Sequence, residues 1–161
     1  YRTLETARLE AEVTSHTSTD SRTFTLLCSY DADGDAVTTV TDPGELAGLT
    51  AVVSGTDMTL SSEGLQLPAG ASLDICPANC LPYLLRALAD GYVLEQSSEA
   101  LDDTPCLRLA LDTTAPGGGK VLCAVWLDAE GLFPRYAEFS RNEQVVLTVK
   151  LLAFTCTTSE G

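Results

Sequence analysis

The stretch that decides the fold is PANCLPYLLRALADG, residues 77–91, because its apolar residues recur with helical spacing while the rest of the chain alternates. Four leucines stand at positions i, i+3, i+4 and i+7 and form one apolar stripe: Leu81, Leu84, Leu85 and Leu88. Asn79 is a suitable N-cap, Pro82 fits the first turn, and Gly91 suits the position after the last turn. The pattern predicts one amphipathic helix.

Outside this helix the dominant period is two. In ARLEAEVTSH, residues 7–16, every second side chain from Ala7 to Val13 is apolar and the residues between them are polar or charged. RTFTLLCSY, residues 22–30, continues the alternation. Such alternation predicts strands with one buried and one solvated face. Turn signals recur every 8–12 residues or so, which is typical of an antiparallel meander.

The sequence therefore predicts a mainly β (α+β) fold in a single domain over residues 1–161. We expect an antiparallel sheet of about 9–11 strands with one main helix lying across its face. Because the chain opens at Tyr1, we also expect a trimmed or processed form, with any secretion signal, lipidation cysteine or membrane anchor upstream.

Composition argues against several function classes. The net charge is −14 with only nine lysines and arginines, so the chain lacks the clustered cations that bind nucleic acid phosphates. The same shortage argues against a polybasic membrane patch. No apolar run approaches the roughly 20 residues of a membrane-spanning helix.

Six cysteines, an even number, suit a disulfide-permissive compartment: Cys28, Cys76, Cys80, Cys106, Cys123 and Cys156. Cys76 and Cys80, in CPANC, are nearest in sequence and form the candidate disulfide. Cys28 and Cys123 fall on apolar strand faces, where a free cysteine behaves as a small hydrophobe. A zinc site is not expected, because no second paired motif occurs and His16 is the only histidine.

The acidic segment DADGD, which starts at Asp31, has some of the oxygen ligands of a calcium loop. A helical calcium loop counted from Asp31 would need Gly at its sixth position and Glu at its twelfth, where this chain has Ala36 and Asp42. Its flanks have the alternation of strands, and Asp33-Gly34 is a favoured two-residue hairpin turn with positive φ at both positions. We therefore predict a solvated hairpin turn and no metal site.

Catalytic patterns are missing from the sequence. His16 lies on the polar face of the first strand and no G-x-S-x-G motif occurs, so a Ser-His-Asp site is not expected. Asp102 and Asp103 are adjacent, and adjacent strand residues point to opposite faces, so we interpret them as hairpin residues and not as a glycosidase pair. APGGGK, residues 115–120, lacks the spacing of a P-loop. We expect no enzyme activity and no cofactor.

A long amphipathic first strand and four segments after it carry a resemblance to a known family. The segments are the hairpin TFTLLCSYDADGDAVTTVTDP (residues 23–43), ELAGLTAVVSGTDMTLSSEGLQL (45–67), the helix opening PANCLPYLLRAL (77–88) and the closing segment DAEGLFPRYAEFSRNEQVVLTVKLLAF (128–154). In order and character they resemble the LolA/LolB-like lipoprotein-carrier superfamily, closest to small lipoproteins of Gram-positive, clostridia-type bacteria. The resemblance implies a half-barrel with helices on its concave face, including a short N-terminal helix within residues 1–7. The lid arginine of the carriers matches no position here.

The resemblance also implies a function without catalysis, outside the cytoplasm, at the cell surface or anchored to a membrane. Its members bind a lipid or acyl chain, an acylated protein or another cell-envelope partner in an apolar cleft between sheet and helix. The candidate cavity residues are Leu26, Leu81, Leu84, Leu85, Leu88, Leu107, Leu109, Val125 and Leu151. The alternative is a structural or protein-interaction module with a filled core, whose partners meet its acidic surface.

Overall fold

The computed structural model of the protein describes residues 3–16, 20–54, 57–62, 65–70, 75–114 and 119–159, with the backbone alone for 65–70. Eleven strands and one helix lie in this part of the chain. They are β1 (Leu4–His16), β2 (Ser21–Asp31), β3 (Ala36–Asp42), β4 (Thr50–Ser54), β5 (Asp57–Ser62), β6 (Leu65–Gly70), α1 (Cys80–Asp90), β7 (Tyr92–Leu101), β8 (Thr104–Thr114), β9 (Lys120–Asp128), β10 (Pro134–Arg141) and β11 (Gln144–Thr158).

The strands form one open antiparallel sheet in the order β6-β5-β4-β3-β2-β1-β11-β10-β9-β8-β7. Neighbours in the sheet are neighbours along the chain, except that β1 pairs with β11 at the centre. The helix connects β6 and β7, the two opposite edges, so it has to cross one face of the sheet, and it contacts β2 and β8 there. The predicted mainly β half-barrel with one main helix is confirmed.

The face that the helix covers, called here the inner face, carries the apolar residues of the strand alternation. On β1, Ala7, Leu9, Ala11 and Val13 are all buried. The predicted short N-terminal helix is wrong for the residues from Leu4 onwards, because β1 begins there and pairs with the end of β11, Leu4 opposite Thr158. Residues 1 and 2 lie outside the described part of the chain.

The DADGD segment forms a turn, but not of the predicted type. It connects β2 to β3 through residues 32–35, and neither Asp33 nor Gly34 has a positive φ. The Asp31 carboxylate accepts a hydrogen bond from the Asp33 backbone N–H at 2.9 Å. This local side-chain bond stabilises a longer Asx-type turn, which is why the two-residue prediction is wrong.

Two other hairpins use the two-residue turn with positive φ at both positions. Asp102-Asp103 joins β7 to β8, and Asn142-Glu143 joins β10 to β11. Asp and Asn tolerate this left-handed conformation better than most residues. The interpretation of Asp102 and Asp103 as hairpin residues is therefore confirmed.

The ends of the helix differ in detail from the predicted caps. The Asn79 side chain makes no capping hydrogen bond; its Oδ1 accepts the Cys76 N–H at 2.9 Å and closes the preceding turn. Gly91 has φ −66°, so it is not left-handed. A Cβ there would lie 2.4 Å from the Ala87 carbonyl oxygen, and this close approach explains the glycine. No helix in the described part of the chain has the length and apolar character needed to cross a membrane.

A small cluster on the outer face ties the exposed edge strand β7 to the sheet. The Trp126 ring lies 5.3 Å from the Tyr136 ring, and the Arg108 guanidinium lies over Trp126 at 5.2 Å. Arg108 also forms ion pairs with Glu95 at 3.7 Å and Glu99 at 4.0 Å, both on β7. Because exposed ion pairs contribute little, we attribute most of this cluster's stabilisation to the aromatic contacts.

Candidate functional site

One half of the inner face, formed by β8–β11, is a filled core. Leu111 on β8, Cys123 on β9 and Phe139 on β10 are fully buried. The Tyr83 ring of the helix lies 5.8 Å from the Phe139 ring in a tilted arrangement that aromatic pairs favour. The Tyr83 hydroxyl hydrogen-bonds Thr113 at the rim of this half. These contacts leave no space for a ligand between the rings.

The other half, formed by β2–β5, holds a cavity of about 260 Å³ beneath the turn that precedes the helix; we call it the inner cavity. Its lining residues are Phe24, Leu26, Thr38, Val40, Leu46, Leu49, Ala51, Leu60, Cys76, Pro77 and Ala78. Leu46 is 37 % exposed and marks the mouth, whereas Leu26, Thr38 and Ala51 are 4 % exposed or less and mark the closed end. None of these described lining side chains is charged, so the cavity suits an uncharged, largely apolar group.

Thr38 is the polar side chain at the closed end of the inner cavity. It lies in register between Cys28 on β2 and Ala51 on β4 and is 2 % exposed. Burial raises the pKa of the Cys28 thiol to about 11, and the Thr38 hydroxyl offsets part of this rise. The Cys28 thiol is only a weak partner for the Thr38 hydroxyl, and this hydroxyl has no oxygen or nitrogen partner in the part of the chain that the structure describes. A buried hydroxyl without a partner costs roughly 1–3 kcal/mol of stability.

Three thiols lie near the inner cavity. Burial raises the pKa of Cys76, an effect that the backbone N–H groups of Ala78 and Asn79 partly offset. Burial, followed by the neighbouring Cys76 and Cys28, raises the pKa of Cys80 well above its ordinary value. All three are free thiols in this structure, and the pairing of Cys76 with Cys80 stays a prediction. Their raised pKa values keep them protonated and poorly nucleophilic at neutral pH.

Two larger clefts lie away from the inner cavity, one of them on the outer face. A cleft of about 530 Å³ is lined by the outward-facing Arg8, Glu10 and Leu27 together with Ala153 and other residues. A cleft of about 380 Å³ lies beside the β9–β10 loop, next to Leu132. The cleft of about 530 Å³, called here the outer cleft, is larger than the inner cavity. Its charged side chains Arg8 and Glu10 nevertheless suit an apolar ligand less well than the uncharged residues described for the inner cavity.

The β9–β10 loop is held by one carboxylate. Asp128 accepts hydrogen bonds from the backbone N–H groups of Glu130 (2.9 Å) and Gly131 (3.0 Å) and from the Arg135 guanidinium (3.0 Å). The bonds from Gly131 and Glu130, followed by Arg135, lower the pKa of the Asp128 carboxyl. The loop presents Leu132, 48 % exposed, with a positive φ of 56° that is unusual for a leucine. Strained exposed residues of this kind occur at contact sites.

The structure brings one of the nine predicted cavity residues, Leu26, to the inner cavity. The others lie in the surrounding core: Leu81, Leu84, Leu85 and Val125 are buried, and Leu88, Leu107, Leu109 and Leu151 are half-buried against it. Sequence reasoning missed Thr38, although the alternation in AVTTV places it at an inward position where an apolar residue is expected. Ala51 carried no such signal, since a small residue on a buried strand face is ordinary.

The polar residues considered for catalysis lie apart from one another in the described part of the chain. Among them, no group of three or more His, Cys, Asp or Glu side chains is placed to hold a metal ion. His16 Nε2 lies 3.3 Å from Thr148 Oγ1 at the end of β1. Since Asp102 and Asp103 occupy a hairpin turn, the polar residues considered for catalysis are spread over the sheet and are not gathered in the inner cavity.

Comparison with known proteins supports the fold. No family model and no curated protein matches this chain. A LolA superfamily protein from Nitrosomonas europaea is similar in structure, with TM-score 0.50 and 13 % identity over 98 % of this chain and 88 % of that one. A protein from Vibrio parahaemolyticus assigned as an outer membrane lipoprotein-sorting protein domain gives 0.51 and 13 % over 98 % and 87 %. A DUF1329 family protein from Desulfovibrio piger gives 0.56 and 13 % over 99 % and 88 %. The resemblance to LolA-like proteins is thus confirmed as one of fold.

Proposed function

We propose that this chain is a single LolA-like domain that acts outside the cytoplasm without catalysis and binds the acyl chain of a lipid or an acylated protein in the inner cavity. The observation that carries the proposal is the cavity of about 260 Å³, whose lining holds no charged side chain among the residues that the structure describes. Apolar walls with few polar groups are the usual character of small-ligand sites. The fold shared with a LolA superfamily protein and a lipoprotein-sorting domain supports it.

The volume favours a single chain. At about 30 Å³ for each water-sized group, the cavity holds roughly nine of them. Each buried methylene contributes about 0.8 kcal/mol to transfer from water. One chain therefore gains useful affinity, whereas several chains side by side would need the walls to move apart.

The test is native mass spectrometry of the purified protein before and after organic extraction, followed by addition of defined acyl lipids. We expect an adduct whose mass names the ligand class and which extraction removes. Ala51→Leu, which adds three carbon atoms at the closed end, should abolish the adduct. Ala153→Leu adds the same group beside the outer cleft and should leave the adduct unchanged.

The two variants separate the possible sites. Loss of the adduct in Ala153→Leu and its retention in Ala51→Leu would move the site to the outer cleft and contradict the proposal. A protein that stays without adduct in the presence of added lipids would also contradict it, and would favour the module with a filled core.

A second candidate function, a protein-interaction module, is favoured by the β9–β10 loop. Asp128 and Arg135 hold this loop firmly, and it exposes Leu132 with a positive φ. A photoreactive residue at position 132 should then cross-link to one discrete cell-envelope protein, while the same residue at exposed Thr41 should not. Equal labelling from both positions would remove this candidate.

A further inference from the structure

We infer that the ligand of the inner cavity carries an uncharged oxygen, a hydroxyl or a carbonyl, that hydrogen-bonds the Thr38 hydroxyl at the closed end. This inference rests on the proposed function, because it names the class of apolar ligand that the same cavity takes. It describes an acyl chain that carries a hydroxyl or keto oxygen near its free end, which enters first, and it distinguishes that ligand from a plain hydrocarbon chain.

Thr38 is a buried polar residue in the wall of the inner cavity. Its side chain lines the inner cavity and is 2 % exposed, and in the described part of the chain it has the weak Cys28 thiol beside it but no oxygen or nitrogen partner. Buried polar groups in proteins are nearly always paired, so each exception calls for an explanation. A ligand oxygen inside the cavity supplies the partner that the protein does not.

The neighbouring threonines of β3 show that the missing partner is particular to Thr38. The Thr39 hydroxyl lies 3.3 Å from the Thr50 hydroxyl, and the Thr41 hydroxyl donates to the Thr25 carbonyl at 3.2 Å. Packing does not explain a threonine at position 38 either, because valine has nearly the same shape and would avoid the buried hydroxyl. Compared with valine, threonine at this position therefore adds a polar group but no extra volume.

The lining of the cavity excludes a charged end group. Among the described residues, no cation and no carboxylate lines the cavity, so a carboxylate or ammonium placed beside Thr38 would be buried without a counter-ion from this part of the chain. Alcohols, ketones, esters and amides meet the requirement, since each offers an uncharged oxygen. A free fatty acid could enter only with its methyl end first, and it would leave Thr38 unpaired.

The experiment compares three six-carbon probes, n-hexane, 1-hexanol and 2-hexanone, by NMR titration of the wild type and three variants. Thr38→Val removes the hydroxyl, Thr38→Ser retains one, and Thr39→Val removes a hydroxyl that already has a partner outside the cavity. Relative to the wild type, Thr38→Val should weaken 1-hexanol binding about 3- to 10-fold and leave n-hexane binding unchanged. Thr38→Ser and Thr39→Val should keep the wild-type ratio of the dissociation constants for 1-hexanol and n-hexane.

The probes also distinguish a hydrogen bond to Thr38 from apolar binding in the inner cavity. If all three probes bind and Thr38→Val leaves their ratio unchanged, the inference is overturned and the proposed function stands. If no probe binds the wild type, both are overturned. A loss for 2-hexanone equal to that for 1-hexanol would assign Thr38 as the hydrogen-bond donor, because the ketone can only accept.

Discussion

The two halves of the inner face lie under the same helix and the turn before it, yet one is filled and the other is hollow. On the filled half, large side chains such as Phe139 and Leu111 meet the helix. On the hollow half, the cross-strand neighbours Thr38 and Ala51 are small and leave about 260 Å³. Since protein interiors are normally close-packed, the difference teaches that small inward residues on β3 and β4, together with the position of the turn at residues 76–79 above them, leave the cavity.

The largest expected difference between the halves is in leucine truncation. Leu111 and Leu26 are both 1 % exposed, but Leu26 borders the inner cavity and so has fewer neighbouring atoms on one side. Leu111→Ala should lower the free energy of unfolding by about 3–5 kcal/mol and Leu26→Ala by about 2 kcal/mol. Denaturation in guanidinium chloride, fitted with a common slope, measures both. Equal costs would mean that the hollow half is filled in solution.

Strand alternation and the leucine stripe were sufficient to predict the helix, the sheet and the buried face of β1, because these depend on residues near each other in sequence. The cavity was not predictable in this way, because it depends on where the turn at residues 76–79 lies over β2–β5. Register shifts could not be predicted from alternation either. The pairing of β11 with β1 is irregular between Leu151 and Ala153, so that Leu151 and Phe154 both face the core although they are three residues apart. Local alternation cannot locate such a shift.

The second comparison enlarges one alanine on each half. Ala137 on β10 lies in register between Val125 and Val149 and has no accessible surface, so its side chain is packed on all sides. Ala137→Leu should therefore destabilise the protein by about 1–3 kcal/mol through overpacking. Ala51→Leu fills existing space and should change stability by less than about 1 kcal/mol, in either direction. Thermal unfolding with calorimetry measures the pair, and a large loss for Ala51→Leu would indicate that the cavity walls are not free to accept added volume.

The third comparison removes one hydroxyl from each half. The Thr113 hydroxyl bonds the Tyr83 hydroxyl and donates to the Val121 carbonyl at 3.1 Å, whereas the Thr38 hydroxyl has no such partner among the described residues. Thr113→Val should cost about 1–2 kcal/mol because it leaves Tyr83 without its partner. Thr38→Val should be neutral or stabilise the unliganded protein by up to about 1 kcal/mol. A clear loss of stability in Thr38→Val, measured after organic extraction, would mean that the hydroxyl has a structural partner.

The last comparison uses one thiol from each half as a reporter of access. Burial raises the pKa of Cys123 on the filled half to about 12, and it also raises the pKa of Cys76, which lines the cavity and is half-buried. Only the thiolate reacts with iodoacetamide. Because burial raises the pKa of the Cys76 thiol above its ordinary value, its labelling rate should keep rising, about tenfold for each pH unit, from neutral into mildly alkaline solution. Added 1-hexanol should slow labelling of Cys76 but not of the exposed Cys156, and Cys123 should react only when the protein unfolds. Protection of Cys76 and Cys156 to the same extent would show that the alcohol acts on the whole protein and not in the cavity.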